Sequence, residues 1–166
     1  MAGVVVKPRA RIYHGHDWVY SSDIKKIFGD PSPGDIVSLK DFKDRPLGSG
    51  IYNPKSQIVV RRFSRQKQQL DVEFFKRRIQ RAVDHRETLG LDMQAIRLVW
   101  SESDGLPGVI VDRYGDHLVL QTLTLAMDQR KTTIAEALQS VIKPKSITER
   151  NDSPIRSAEE LESVKG

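Results

Sequence analysis

Residues 4–63 alternate between short apolar runs and clusters of turn-forming residues, a pattern that is typical of a small β structure. Runs of this length rich in β-branched residues predict strands, and Gly, Pro, Asn and Asp clusters predict the turns between them. Strands are predicted at residues 4–13, 36–40, 47–52 and 57–63. Pro8 interrupts the first strand, and because proline has no N–H to donate, it is predicted to lie at a sheet edge or a bulge. Asp17 is predicted to cap a short helix over residues 18–20, with Trp18 in the core.

At Asp71 the apolar spacing changes from alternation to the spacing of an amphipathic helix. Asp71 is predicted to cap this helix at its N-terminus, and Gly90 to follow its end. The polar segment at residues 64–70 has no apolar repeat and is predicted to be a linker. The positions on the inward face of the helix are Val72, Phe75, Ile79, Val83 and Arg86.

Beyond this helix the pattern predicts further strands and one more helix. Strands are predicted at residues 96–100, 109–112, 117–124 and 146–150. A helix is predicted at residues 127–141, and Pro144 lies beyond its end because proline cannot continue it. Its inward positions are Ile134, Ala137, Leu138 and Val141. The tail at residues 151–166 is charged and shows no face that the pattern predicts to be buried.

Together these elements predict a mixed α+β fold. A small β-barrel or open sheet comes first, and a central strand-helix-strand domain follows it. The predicted boundaries are residues 1–68 for the first domain, 71–150 for the central domain and 151–166 for the tail.

The charge along the chain is uneven. The net charge is +5, but residues 1–70 hold 13 Lys and Arg against 6 Asp, while residues 101–166 hold 8 against 11 Asp and Glu. A basic first half favours binding of a polyanion, and an ordinary solvated basic surface is the alternative. No apolar run approaches the roughly 20 residues that span a bilayer, so no membrane partner is predicted. The chain has no cysteine, which excludes disulfides and thiolate metal sites, and a cytoplasmic location is predicted.

Basic and polar residues in two N-terminal segments are candidates for RNA contact, because a small barrel can bring those segments together. Arg61 and Arg62 are neighbours in a strand and must face opposite sides, so at most one shares a surface with Arg9 or Arg11. Tyr20 is a candidate for stacking on a base. The predicted RNA-binding residues are Lys7, Arg9, Arg11, His14, Tyr20, Arg61, Arg62 and Arg65, with Lys67 in the same basic group.

No metal site or catalytic site is predicted. His14, His16 and Asp17 lie close in sequence, but a third convergent ligand is not evident. Two carboxylates, Glu102 and Asp104, lie in the segment SESDGLPG at residues 101–108, and Asp112 and Asp116 follow it. Nothing in their spacing puts two of the four on one face. The Gly-Leu-Pro-Gly run in this segment requires turn geometry. We therefore interpret the segment as structural, shaping the edge of a cleft.

Three segments resemble one family, the bacterial large-subunit rRNA cytosine-5 methyltransferases. Residues 9–24 (RARIYHGHDWVYSSDI) and 33–64 (PGDIVSLKDFKDRPLGSGIYNPKSQIVVRRFS) resemble its N-terminal PUA domain. Residues 97–121 (RLVWSESDGLPGVIVDRYGDHLVLQ) resemble the middle of the same enzymes. The resemblance implies a PUA β pseudo-barrel that binds structured RNA, with large-subunit (23S) rRNA as partner, and a central α/β domain after it.

The chemistry of that family is not found in this sequence. The resemblance implies a cysteine nucleophile and an S-adenosylmethionine domain, but the chain has no cysteine and no Gly-rich turn that follows a strand and opens a helix. No catalytic, cofactor or metal residue is therefore carried over. We expect the RNA-binding, substrate-positioning portion of such an enzyme, truncated before its catalytic domain, with S-adenosylmethionine as cofactor of the parent enzyme only. The alternatives are a free-standing PUA-type RNA-binding adaptor and a protein-interaction module that forms a homodimer.

Overall fold

Two β-sheets organise the chain, and the computed structural model describes residues 2–165 of it. The first sheet curls into a half-barrel, and its strands are ordered β2-β6-β5-β4-β1-β3. Only β1 and β4 pair in parallel within it. Its strands are β1 (Gly3–Val6), β2 (Trp18–Tyr20), β3 (Ile24–Phe28), β4 (Ile36–Lys40), β5 (Pro46–Tyr52) and β6 (Ile58–Ser64).

The second sheet is ordered β11-β10-β9-β8-β7 and carries the helices. The pair β9 and β10 is parallel, so the chain must cross over between them, and two helices form that crossover. The strands are β7 (Ala95–Trp100), β8 (Val109–Tyr114), β9 (His117–Thr122), β10 (Ser146–Asn151) and β11 (Val164–Lys165). The helices are α1 (Val72–Thr88), which precedes this sheet, and α2 (Leu125–Asp128) and α3 (Lys131–Ile142), which form the crossover. The mixed α+β fold is confirmed.

The predicted long helix is confirmed as α1. The Asp71 side chain accepts a hydrogen bond from the Phe74 backbone N–H at 2.7 Å, which caps the first turn. Phe75 and Ile79 on its inward face are fully buried. Arg86 is also buried on that face, where it forms a two-pronged ion pair with Asp104 at 2.5 and 2.8 Å. The helix face identified from the sequence is therefore the face that packs.

The helix α1 joins the cores of the two sheets. One apolar cluster lies within the first sheet, around Val4, Val19 and Leu39. The larger cluster combines the inward faces of α1 and α3 and the second sheet with Ile51 and Phe63, which belong to β5 and β6 of the first. Because the two sheets share this core, the domain boundary near residues 68–71 stays a prediction.

The predicted helix over residues 18–20 is wrong, since these residues form β2 and pair antiparallel with β6. Three residues are too few to distinguish helical from strand periodicity, and the alternation of a strand decides their burial. Val19 is fully buried. Its neighbour Trp18 projects from the opposite face of the strand, and 36% of its surface is exposed. The prediction that Trp18 belongs to the core is therefore also wrong.

The first predicted strand is shorter than expected. It ends at Val6, because Pro8 lies in a turn and cannot donate to a ladder. Residues Arg11–His14 form a 3-10 helix in place of its second half. Residues Ile24–Phe28, for which no strand is predicted, form β3 and pair with β1.

The prediction that the tail has no buried face is wrong. Asn151, Arg156 and Glu159 are between 0 and 4% exposed, and residues Pro154–Glu159 form a 3-10 helix. Arg156 donates hydrogen bonds to the Thr122 carbonyl and, at 2.9 Å, to Asp128. The tail is held by polar side chains, which carry no hydrophobic periodicity, so the apolar pattern could not reveal its packing.

A hydrogen-bonded cluster connects the two sheets. It consists of Trp18, Arg61 and Glu102, and we call it the Glu102 junction. Glu102 lies in the 3-10 helix Ser101–Asp104 between β7 and β8. One of its oxygens accepts hydrogen bonds from Trp18 Nε1 and Arg61 Nη1, each at 2.9 Å. Burial opposes ionisation of this carboxyl, but hydrogen bonds from Ser101 and Trp18 and the charge of Arg61 outweigh it. The pKa of Glu102 therefore lies below its usual value.

We predict that Glu102→Gln destabilises the protein at neutral pH by about 1.5–3 kcal/mol, because hydrogen bonds to a charged group are lost. Urea unfolding measures this change. Since the folded-state pKa is the lower one, the carboxylate stabilises fully above the unfolded value of about 4.3, and this contribution is lost as pH falls through the folded-state pKa. The difference between wild type and variant should shrink over that range.

The matched control is Glu160→Gln. Glu160 pairs with Lys55, but each side chain is 56% exposed, so the loss should stay below about 1 kcal/mol. Equal losses for the two variants would contradict a structural role for the Glu102 junction.

We also predict that Arg156→Ala lowers the free energy of unfolding by about 3–5 kcal/mol, because it leaves Asp128 without its buried partner. The Arg156 side chain is 3% exposed and that of Asp128 is 20% exposed. Arg150→Ala is the control, since Arg150 is 66% exposed and pairs with Asp152 at the surface. If urea midpoints for the two variants coincide, the tail is not part of the cooperative unit.

Candidate nucleic-acid interface

A cleft of about 670 Å³ lies where the end of β6, helix α1 and the segment at residues 101–107 meet. We call it the basic cleft. It is lined mainly by polar side chains. Its charged and ionisable lining residues are Asp17, Arg62, Arg65, Arg78, Arg81, His85, Glu102 and Asp104.

The three carboxylates in the basic cleft are already paired with arginines. Asp17 accepts from Arg62 at 2.6 Å, and Asp104 accepts from Arg86. Glu102 accepts from Arg61 in the Glu102 junction. The negative charge inside the cleft is therefore compensated, and the remaining cations determine the sign of its field.

Three arginines of the basic cleft have no carboxylate within ion-pair distance among residues 2–165: Arg65, Arg78 and Arg81. Arg78 is half-buried, and its Nη2 donates to the Phe63 carbonyl at 3.1 Å. Burial, together with the like charges of Arg81 and Arg77, lowers the pKa of Arg78 from its usual value. Arginine stays protonated in proteins, so these groups repel one another until an anion enters.

The positions of these cations follow from the local sequence. Arg78, Arg81 and His85 are three and four residues apart, so they lie on one face of α1. Gly105 faces them with a positive φ of 69°, and a Cβ at that position would lie 2.9 Å from Arg78 Nη1. The Gly-Leu-Pro-Gly turn thus brings the backbone close to the arginine and lines the basic cleft beside α1. The interpretation that this segment shapes the edge of a cleft is confirmed.

Arg61 and Arg62 face opposite sides of β6, as the strand geometry requires. Arg62 lines the basic cleft, but only 7% of its side chain is exposed and Asp17 holds it. Arg61 lies on the other side, where it contacts Glu102 and, at 3.6 Å, Glu159. Both guanidinium groups thus have structural partners, and Arg65 is the predicted RNA-binding residue in the basic cleft whose charge is unpaired within residues 2–165.

The remaining predicted residues lie outside the basic cleft. Arg11 is exposed and stacks on Tyr20, with its guanidinium carbon 4.8 Å from the ring centre. Arg9 and His14 are exposed, and the Lys7 ammonium donates to the Ser22 carbonyl at 2.7 Å. Their role in RNA contact stays a prediction.

Arg78, Arg81 and His85 are lining residues that the sequence-based candidates leave out. The pattern predicts only that Arg81 and its neighbours lie on the solvent-exposed side of a helix. Their spacing of three and four residues, next to a basic strand end, was the available signal. What the pattern could not give is the position of α1 beside the end of β6, which brings this side of the helix and Arg65 into one cleft.

Two other properties concern the chain within residues 2–165. No group of three or more His, Asp or Glu side chains there is arranged to hold a metal ion. None of the helices in that range is long and apolar enough to cross a membrane.

The chain is similar to known proteins in sequence and in fold. Residues 4–65 match the family model of a PUA-like domain. The ribosomal RNA large subunit methyltransferase I of Tolumonas auensis is 41% identical over 149 residues, which are 88% of this chain and 38% of that protein. The protein of the same name from Escherichia coli K12 is 35% identical over 169 residues, covering 98% of this chain and 42% of that protein.

A solved structure shows the same fold. A candidate methyltransferase complexed with SAH superposes with a TM-score of 0.77 at 22% identity, covering 90% of this chain and 40% of that one. The chain thus spans about two fifths of the length of the relatives it matches. It contains a PUA-like domain and is homologous, over most of its length, to part of the ribosomal RNA large subunit methyltransferase I proteins.

Proposed function

We propose that the chain is the RNA-binding, substrate-positioning portion of a SAM-dependent large-subunit rRNA (cytosine-5) methyltransferase. The observation that carries the proposal is the basic cleft, in which every carboxylate is paired and three arginines are not. The PUA-like domain and the named relatives support it.

A phosphate backbone suits the basic cleft for electrostatic reasons. Arg65, Arg78 and Arg81 come from two elements and face one open cavity, so consecutive phosphates of one strand have a cation each to contact. Arginine binds phosphate oxygens in two-pronged geometry, which positions the strand as well as holding it. The entry of an anion also relieves the repulsion between Arg78 and its two arginine neighbours.

The fold supports a positioning role. The basic cleft has one wall from the first sheet and the other from α1 and the β7–β8 connection. These walls are joined by the shared apolar core and by the Glu102 junction, so RNA held between them has a fixed orientation. The methyl donor and the chemistry belong, in this proposal, to the part of the relatives that this chain does not span. A cytoplasmic location and 23S rRNA as partner are parts of the same proposal.

We predict that the purified chain binds a labelled large-subunit rRNA fragment with an affinity that falls as salt rises. Arg81→Ala should weaken binding and reduce the log-log salt slope by about one, since one phosphate contact is lost. Arg65→Ala combined with Arg81→Ala should reduce the slope by about two. Anisotropy titrations at several salt concentrations measure both quantities.

The matched control is Lys145→Ala, because Lys145 is an exposed cation that pairs with Asp116 outside the basic cleft. It should leave the slope unchanged. Arg62→Ala is not suited to this test, since it leaves the Asp17 carboxylate without its partner and disturbs the fold. Absence of binding at low salt, or oligomers at micromolar concentration with salt-insensitive association, would overturn the proposal in favour of an interaction module.

A further inference from the structure

A second cavity, of about 370 Å³, lies on the other side of Glu102 and has a different character. We call it the aromatic pocket. Glu102 lines both cavities, so the aromatic pocket adjoins the basic cleft. The residues that give it its chemistry are Trp18, Tyr20, Gln57, Arg61, Ile155 and Ala158.

Two outward aromatic rings form one wall. Trp18 and Tyr20 lie two residues apart in β2, so both side chains project from the same face, while Val19 between them is buried. Ile155 from the tail helix lies opposite and is 55% exposed. Both rings belong to an edge strand and line the cavity, so the parts of each ring that neighbouring side chains leave uncovered face open space.

Cations lie against both rings. The Arg61 guanidinium carbon is 5.5 Å from the centre of Trp18, and that of Arg11 is 4.8 Å from the centre of Tyr20. Arg11 has no carboxylate partner among residues 2–165, so its charge beside Tyr20 is not compensated by an ion pair. A ligand with a flat ring next to a negatively charged group matches this arrangement, because the ring can stack on an aromatic side chain while the negative group contacts an arginine.

The interior of the aromatic pocket is less suited to an anion than its rim. The carboxylates of Glu102 and Glu159 line it, and Arg61 contacts both. Gln57 is exposed at the wall, and its amide makes no hydrogen bond within residues 2–165, so it can offer both a donor and an acceptor. An uncharged ring with polar edges fits inside, and its phosphate stays at the rim near Arg11.

We propose that the aromatic pocket binds one unpaired nucleobase of the RNA whose backbone occupies the basic cleft. The base stacks on Trp18 or Tyr20, and Gln57 contacts its polar edge. This inference rests on the proposed function, because it needs an RNA strand in the neighbouring cleft. It assigns to the chain a contact that depends on the base, beside the backbone contacts that depend on charge.

The test uses a hairpin from large-subunit rRNA and the same hairpin with abasic loop nucleotides, which keeps every phosphate. For the wild-type chain, loss of the bases should weaken binding about tenfold, which corresponds to the stacking of one base. Trp18→Ala should bind the intact hairpin about as weakly as the wild type binds the abasic one. Because this variant also removes a hydrogen bond of the Glu102 junction, the unchanged salt slope is tested with Tyr20→Leu, which leaves the junction intact. Tyr20→Leu and Gln57→Ala provide smaller changes at the same wall.

Trp100→Ala is the matched control, since Trp100 is the other tryptophan of the chain, is 56% exposed and does not line the aromatic pocket. A second readout uses Trp100→Phe, in which Trp18 is the sole tryptophan and its emission is excited selectively over that of the tyrosines. The intact hairpin should quench this emission and the abasic hairpin should not. Urea midpoints check that each variant is folded, and if Trp18→Ala is not, Tyr20→Leu and Gln57→Ala carry the comparison.

The outcomes separate the two proposals. Equal affinity for the intact and abasic hairpins, with a normal salt slope, overturns the aromatic pocket and leaves the proposed function standing. Sensitivity to the missing bases that no pocket variant reduces also overturns it. Absence of binding to either hairpin at low salt overturns both.

Discussion

The Glu102 carboxylate is the interaction on which the arrangement of the two cavities depends. It accepts from Trp18 and Arg61 of the first sheet while it belongs to the β7–β8 connection of the second. Its position separates the basic cleft from the aromatic pocket, and it lines both. Because a partly buried carboxylate without partners is costly, the two sheets can separate only by exposing it or leaving Arg61 unpaired. The Glu102 junction therefore acts together with the shared apolar core to fix the relative orientation of the sheets, and with it the shape of both cavities.

Charge compensation explains why overall composition says little about the interface. The first 70 residues carry 13 Lys and Arg, yet Arg61 and Arg62 serve mainly to hold carboxylates in place. The cations left for a ligand are those whose neighbours are other cations, as Arg78 is between Arg77 and Arg81. Repulsion within such a group destabilises the free protein slightly and favours the bound state by the same amount, so affinity and salt dependence arise from the same residues.

Much of the fold follows from the sequence, and the exceptions have physical causes. The helix α1 was predictable because its cap at Asp71 and its apolar spacing agree, and most strands follow from alternation. The strand β2 was not, because three residues do not define a period, and tertiary pairing with β6 decided it. The tail was missed because Arg156 and Glu159 are buried through ion pairs and hydrogen bonds. In the basic cleft, Arg62 and Arg65 were among the predicted RNA-binding residues, whereas the contribution of α1 required the packing of the helix.

The buried tail also helps to keep the aromatic pocket rigid. Glu159 accepts from Asn53 at 2.9 Å and lies 3.6 Å from Arg61, while its neighbour Ala158 lines the aromatic pocket. Arg61 is thus placed by two carboxylates from different parts of the second half of the chain. A guanidinium held by two carboxylates restricts the Trp18 ring that lies under it. Because the ring is already ordered, a ligand that stacks on it loses less binding free energy to the ordering of the side chain. Trp18 near the start of the chain and Glu159 near its end therefore act through Arg61 to set the geometry of the surface where the first sheet meets the second.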